Sequence, residues 1–311
     1  MDRILSKVEI RDTPIEWGKY VLSDEDLQRF VDPSSLVSSI SDVLHGRGTR
    51  NGIALPLAGL DSHVRIRRGK VALWAGINFH GKTSMLKMLA LHMVRCGERP
   101  CIASLEEEPE ETMADMVQMA IPDTDVRESD DWIDVVCGWL SGKLSIYSQT
   151  RMMDPQRILA LMAYAAKERG CTHFILDSLM RTGIPQDDYE GQRIFLNQLD
   201  NYARQLNIGV QLVHHIVKVD ESQVPGRESI RGSGAITDNV PQIFIVWRDV
   251  REQKEFDAPD GLLVVAKNRG LRPANWIGKI QLHMHKSGQF MRQKTDRPLQ
   301  FIAQAQWSPH A

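Results

Sequence analysis

Eight consecutive residues of the sequence could hold a chain of phosphates. Gly76-Ile77-Asn78-Phe79-His80-Gly81-Lys82-Thr83 fits the spacing G-x-x-x-x-G-K-[ST] without a gap, and Ser84 follows. In such a loop the backbone N–H groups converge on an anion at a helix start. Lys82 would reach the β- and γ-phosphates, and the Thr83 hydroxyl would hold Mg²⁺. Other residues could work beside it. Asp177 closes the apolar run Phe174-Ile175-Leu176 and offers the metal a second oxygen, direct or through water. Glu106 follows the run Pro100–Leu105 and could orient an attacking water, with Glu107 and Glu108 as competitors. His214 and His215 end another apolar run; one suits the core, and the other, taken here as His215, could sense the γ-phosphate. A metal role for them would need a third ligand at suitable spacing. Lys267 and Arg269 flank Asn268 at a later strand end, where alternation turns both cations to one side, suited to a partner's phosphates.

These residues need a scaffold, and the hydrophobic pattern supplies one. Val71–Ala75 reads as a buried strand and Met85–Val94 as a helix, the strand–loop–helix context that a phosphate loop requires. Strand runs follow at Pro100–Leu105, Leu144–Tyr147, Phe174–Ser178 and Ile208–Val213. Helices are predicted from Pro109, where glutamates suit the helix dipole, and from the Asp154-Pro155 cap to Gly170. A third runs through Ile194, Leu199 and Leu206. The stripe Met113, Met116, Val117, Met119 reads as core. This alternation predicts an α/β fold: a mainly parallel twisted sheet flanked by helices, binding ligands at the carboxyl ends of its strands. Gly81, Glu106, Asp177 and the histidine pair all fall at such ends. Residues 216–240 are polar and glycine-containing, and they carry Lys218, Arg227 and Arg231-Gly232-Ser233-Gly234. Runs at 242–247, 262–266 and 279–285 predict an antiparallel C-terminal extension. The expected organisation is an arm over 1–33, a short amphipathic helix over 34–48, a main α/β domain over 49–292 and a tail over 293–311. The helix over 34–48 could pack on its own domain or on a neighbouring subunit.

Composition narrows the classes. The 311 residues are 42% hydrophobic and 25% charged, with a formal net charge of -2, so no global basic field marks a nucleic-acid binder. A basic channel lined by a few residues remains compatible with that total. No apolar run approaches the ~18 residues of a membrane span. The start Met1-Asp2-Arg3-Ile4 lacks a signal-peptide core. Cys96, Cys101, Cys137 and Cys171 have no C-x-x-C spacing and read as reduced thiols of a cytosolic protein.

In this order the motifs resemble the RecA-like motor domain of DnaB-type hexameric replicative helicases, most of all the helicase half of phage primase–helicases. The resemblance covers residues 34–290. It rests on Gly76–Ser84, on Ser104-Leu105-Glu106-Glu107 with Glu110-Glu111-Thr112, and on Ile175-Leu176-Asp177-Ser178. It continues through Val213-His214-His215, Ile230-Arg231-Gly232-Ser233-Gly234-Ala235 and Lys267-Asn268-Arg269. The resemblance implies a RecA-like P-loop NTPase fold and a DNA-stimulated NTPase that forms a ring, moves along single-stranded DNA and unwinds duplex. It assigns Gly76, Gly81, Lys82, Thr83 and Ser84 to ATP or another NTP, Thr83 and Asp177 to Mg²⁺, Glu106 to catalysis and His215 to γ-phosphate sensing. Arg269, with Lys267, would be a finger inserted into a neighbour's site, and Arg248 would pack on the base. Lys218, Arg227, Arg231 and Gly232 would face DNA, and the helix over 34–48 would dock on the adjacent protomer. The implied partners are single-stranded DNA, further copies of the chain, and primase or other replisome proteins, in the cytoplasm of a bacterial or phage-infected cell. The residues Asn78-Phe79-His80 depart from the small ones usual in this loop. Two other readings stay open: a RecA/KaiC-like ATPase that assembles without unwinding, and a non-catalytic nucleotide-binding partner of a helicase.

Overall fold

The computed structural model describes residues 23, 30–45, 52–60, 63–122, 130–185, 187–216, 223–230, 233–251, 258–270 and 276–302. The chain divides into two units, Met1–Arg50 and Asn51–Ala311. In the first, the Asp32 carboxylate accepts from the Ser34 N–H and Pro33 occupies the first turn. These start a 3-10 turn (Pro33–Leu36) that runs into helix α1 (Val37–Leu44). Val37, Ile40 and Leu44 are exposed. Residues 1–22 of the expected arm lie outside the described residues.

The second unit opens with a two-stranded antiparallel ribbon, β1 (Ile53–Ala54) and β2 (Arg65–Ile66). The alternating part follows: β3 (Val71–Gly76), α2 (Lys82–Arg95), β4 (Pro100–Ser104), α3 (Pro109–Ala120), α4 (Asp131–Leu140), β5 (Ser145–Ser148) and α5 (Pro155–Lys167). It continues with β6 (His173–Asp177), α6 (Tyr189–Gln205), β7 (Gly209–His215), α7 (Ser233–Asn239) and β8 (Gln242–Arg248). β9 (Gly261–Asn268), β10 (Gly278–Met284) and β11 (Phe290–Met291) close it. One nine-stranded sheet has the order β11-β10-β9-β8-β3-β7-β6-β4-β5. From β8 to β5 every pairing is parallel, and β9, β10 and β11 extend the sheet antiparallel. This is the predicted class, with the phosphate-loop strand β3 held between β7 and β8.

Strand alternation fills two cores. Ala72 and Trp74 face one, with Met85, Leu89 and Met93 of α2, Met116 of α3 and Val136 of α4. Val71, Leu73 and Ala75 face the other, with Ile158 and Met162 of α5, Phe195 and Leu199 of α6 and Ile236 of α7. The Trp74 indole stacks on Phe244 of β8 with ring centroids 4.4 Å apart and donates to Gln211 Oε1 of β7 at 2.9 Å. That side chain therefore ties the three central strands together. The helices start where polar caps stand. Glu108 and Glu111 form a capping box at α3, and Asp154 with Pro155 starts α5. Met116 and Met119 are buried, as the methionine stripe predicts.

The sequence pattern does not predict helices α4 and α7. α4 buries only Val136 and Leu140, in an acidic stretch, and α7 anchors through Ile236 in a glycine-containing one. The stretch 293–302, expected as tail, belongs to the fold. Phe301 and Ile302 are buried in the first core, and the Gln289 amide bonds both the N–H and the C=O of Leu299. Pro298 denies this stretch a regular period, but a buried amide still satisfies its backbone. Among the described residues no helix is long and apolar enough to cross a membrane.

Candidate active site

Only glycine fits at the end of β3. A Cβ on Gly76 would lie 2.5 Å from the Val246 carbonyl oxygen of β8. Gly81 has a φ of 89°, in the left-handed region, and a Cβ there would meet the Phe290 ring at 2.8 Å. The second strand of the C-terminal hairpin thus backs the phosphate loop. Between these glycines, Phe79 takes a φ of 65° and leaves its ring 95% exposed. His80 is buried, and its Nδ1 accepts the Arg248 N–H at 3.0 Å, which puts the ring proton on Nε2. The departure from small loop residues therefore has a structural reason: His80 braces the loop against the end of β8.

The Lys82 ammonium donates to the Gly76 carbonyl at 3.1 Å and the Ile77 carbonyl at 2.7 Å. The Thr83 hydroxyl donates to Asp177 Oδ2 at 2.7 Å. Register brings the acids together: Ser104 of β4 lies beside Asp177 of β6, and the Leu105 N–H donates to the Asp177 carbonyl at 2.7 Å. Glu106 follows at once. Its Oε1 accepts the Ser178 hydroxyl at 2.7 Å, with His215 Nε2 3.8 Å and Arg181 Nε 3.9 Å away. The two competing glutamates are engaged elsewhere. Glu107 pairs with Lys87 at 2.7 Å and accepts from Thr112 at 3.3 Å. Glu108 caps α3 and accepts from Thr150 at 3.1 Å. On β7, His214 is buried and His215 opens to the site. The same register pairs His215 with Gly76. A cleft of about 940 Å³ joins Lys82, Thr83, Glu106, Asp177, His215 and Arg248 at the carboxyl ends of β3, β4, β6, β7 and β8. Gly81 and Ser84 border it too.

Burial sets the charges. It pushes Asp177 up to about 6, against the hydroxyl donated by Thr83. It pushes Lys82 down to about 8, despite Asp177 and Glu106 nearby. The His215 imidazole and the Ser178 hydroxyl hold Glu106 below the usual carboxylate range, against partial burial. At 3.8 Å the His215 Nε2 lies just beyond ordinary hydrogen-bond reach of Glu106 Oε1. Two oxygens at the Thr83–Asp177 pair, one on a buried carboxylate short of positive charge, suit a hard divalent cation.

The remaining expected cations stand apart from the cleft. Lys267 is buried, and its Nζ donates to the Thr237 and Asp238 carbonyls of α7 at 2.5 and 3.1 Å. Arg269 lies just past β9 and is exposed, with its N–H bonded to the Pro241 carbonyl. Alternation predicts the two on one side. β9 ends at Asn268, so strand alternation no longer holds Arg269, and Lys267 serves the packing of α7. Arg227 sits in a 3-10 turn, 3.4 Å from Asp238 of α7. Lys218, Arg231 and Gly232 lie outside the described residues.

A family model described as an AAA domain matches residues 62–221, half of the chain. The chain belongs to the AAA domain family. The match takes in the phosphate loop, Glu106, Asp177 and His215, and stops before β8. No curated protein matches the chain. Among solved structures, this AAA domain is similar to an ATPase domain solved on its own, with a TM-score of 0.70 and 18% identity, covering 85% of this chain and 100% of that one. It is also similar to a DnaB-like replicative helicase described with its interactions with primase, with a TM-score of 0.69 and 18% identity, over 86% and 69% of the two chains. At this identity the likeness is one of fold. It is the RecA-like fold that the motifs implied. Four residues of the AAA domain's site escape a reading of the sequence: His80, Lys87, Ser178 and Arg181. Lys87 carries a signal, as a lone cation inside the apolar helix run Met85–Val94.

Proposed function

We propose that this AAA domain is the motor of a DnaB-type DNA helicase, which hydrolyses ATP or another NTP, assembles as a ring, moves along single-stranded DNA and separates duplex. The observation that carries the catalytic part is the convergence of Lys82, the Thr83–Asp177 pair, Glu106 and His215 on one cleft. On nucleotide binding Lys82 exchanges the Gly76 and Ile77 carbonyls for phosphate oxygens. Thr83 and Asp177 are the residues that would hold Mg²⁺. The chemistry a bound Mg²⁺ supplies is neutralisation of phosphate charge as the bond to the leaving group breaks. Glu106 leaves Ser178 to orient the attacking water and take up its proton. His215, at the end of β7, reports the γ-phosphate to the residues that follow it.

The ring, the DNA path and the trans finger rest on the motif resemblance and on the shared fold. Two observations favour them. Arg269 is exposed, free to reach a neighbour's phosphates. α1 leaves Val37, Ile40 and Leu44 uncovered, as a helix that docks on an adjacent copy would. Lys218, Arg227, Arg231 and Gly232 are assigned to DNA, and a primase is the replisome partner proposed.

The test is NTP hydrolysis with and without single-stranded DNA, on the wild type, Glu106→Gln and Arg269→Ala, alone and mixed. Glu106→Gln should lose ~10²-fold or more in turnover while still binding Mg-ATP. Arg269→Ala should be inactive alone and should poison the wild type. Hydrolysis indifferent to DNA and to Arg269→Ala would mean self-contained sites and would end the helicase reading.

A further inference from the structure

Lys87 is buried, one helical turn past Thr83 on α2, and its ammonium touches two carboxylates. Glu107 Oε2 is 2.7 Å away and Asp115 Oδ2 2.6 Å. A buried ammonium is expensive to desolvate, and an apolar residue in its place is often neutral or better for stability. Its charge therefore points to what it holds. Of its two partners, Asp115 on α3 is more than half exposed, whereas Glu107 directly follows Glu106 and borders the same cleft. Glu107 is fixed at three points: its carboxylate by Lys87 and by the Thr112 hydroxyl, and its N–H by Ser104 Oγ at 3.0 Å. Glu106 has no such backing. Its carboxylate accepts only from the buried Ser178 hydroxyl, with His215 and Arg181 of the cleft wall nearby. Glu107, not Glu106, is thus the firmly held glutamate of this turn. The helix that anchors this second glutamate also begins with Lys82 and Thr83.

We infer that Lys87 is a positioning residue for hydrolysis: it neutralises Glu107 and locks the turn after β4, so that of three consecutive glutamates Glu106 is the one set beside His215 and Ser178 at the phosphate loop. This deepens, and rests on, the assignment of Glu106 as the water-orienting group. Without the ammonium, Glu107 would bring another negative charge to a site that already holds Asp177 and Glu106. It would also be released to swing toward the cation-binding oxygens, and the turn carrying Glu106 would loosen.

The experiment is a double-mutant cycle of Lys87→Met and Glu107→Gln, with Glu106→Gln and Asp115→Asn alongside, measuring kcat, KM and the affinity for a fluorescent Mg-ADP analogue. Lys87→Met should lower kcat at least ~10-fold, the scale on which a misaimed catalytic group is felt. KM and the affinity should stay within about two-fold. Glu107→Gln should also lower kcat, and the double variant should lose little more than the worse single one, because the pair acts as a unit. Asp115→Asn should turn over as the wild type does. The inference is overturned by a Lys87→Met kcat within two-fold of wild type, by losses that add across the cycle, or by an equal loss in Asp115→Asn, which would make Lys87 a plain anchor of α3. Where Lys87→Met does not fold, Glu107→Gln decides, and wild-type turnover in it overturns the inference. Glu106→Gln separates the two levels. Full activity there removes the reading of Glu106, and this inference with it. An inactive Glu106→Gln beside a normal Lys87→Met removes only the inference.

Discussion

Lys82 is buried, and in the free loop its ammonium donates to two carbonyls. Burial brings it down to about 8, from the 10.5 of an unfolded lysine. The unfolded chain therefore holds the proton more tightly, and folding carries a penalty that is complete below pH 8. The penalty fades as the pH rises through 8 and is gone near 10.5. A phosphate chain removes the penalty by giving the charge a partner. Lys82→Met should accordingly stabilise the nucleotide-free protein at pH 7, by on the order of 2 kcal/mol. That gain should shrink steadily between pH 8 and 10 in chemical denaturation, while nucleotide binding is lost throughout. Asp177 behaves as the mirror image. Its carboxyl is raised to about 6 from the 3.8 of the unfolded chain, so the cost of ionising it in the fold builds as the pH rises from 3.8 and is complete above about 6. Asp177→Asn should raise the Tm of the free protein at pH 7. It should also abolish the extra Tm gain that Mg-ADP gives over ADP with a chelator, a difference that thermal melts read directly.

The loop between β3 and α2 draws its shape from strands far along the sequence: β8 through Val246 and Arg248, β11 through Phe290. Gly81→Ala would set a Cβ against the Phe290 ring in a backbone conformation that alanine resists. It should cost about 1–2 kcal/mol and weaken nucleotide binding well before it unfolds the protein. Gln211→Leu would strip the buried Trp74 N–H of its acceptor and should lower stability by ~1–3 kcal/mol without touching the cleft, as urea unfolding would show. The parallel strands are legible in the sequence because each is a short apolar run bounded by turn residues. A polar residue at the end of such a run is legible for the same reason, which is how Glu106, Asp177 and His215, which share the cleft, emerge. α7 is not legible, since Ile236 alone gives no period. Nor is the different exposure of Lys267 and Arg269, because the strand ends between them, at Asn268. The ties of Lys87 are hidden for a different reason. Its acids stand 20 and 28 residues away, and only the packing of α2 against α3 and against the turn after β4 brings them within reach.

For the molecule as a whole, the proposal makes two units into one machine by repetition. A chain lacking residues 1–50 should keep the nine-stranded sheet and bind nucleotide, and it should sediment as a smaller species than the full chain. An unchanged assembly would assign ring formation to the sheet domain alone. DNA binding that rests on backbone phosphates should weaken steeply as salt is raised. The position of β3 has a further consequence. The AAA match ends at residue 221, yet the strand that flanks the phosphate loop on one side arrives after it, with β8 at Gln242–Arg248. A gene severed at that point would yield a first half whose nucleotide strand is an open edge, with a row of unpaired N–H and C=O groups. Its second half would carry the strand that completes that edge. Produced separately and mixed, the two pieces should therefore recognise each other by sheet completion, and recovery of nucleotide binding would report their reunion. The boundary that sequence comparison draws across this protein is thus a seam between complementary fragments.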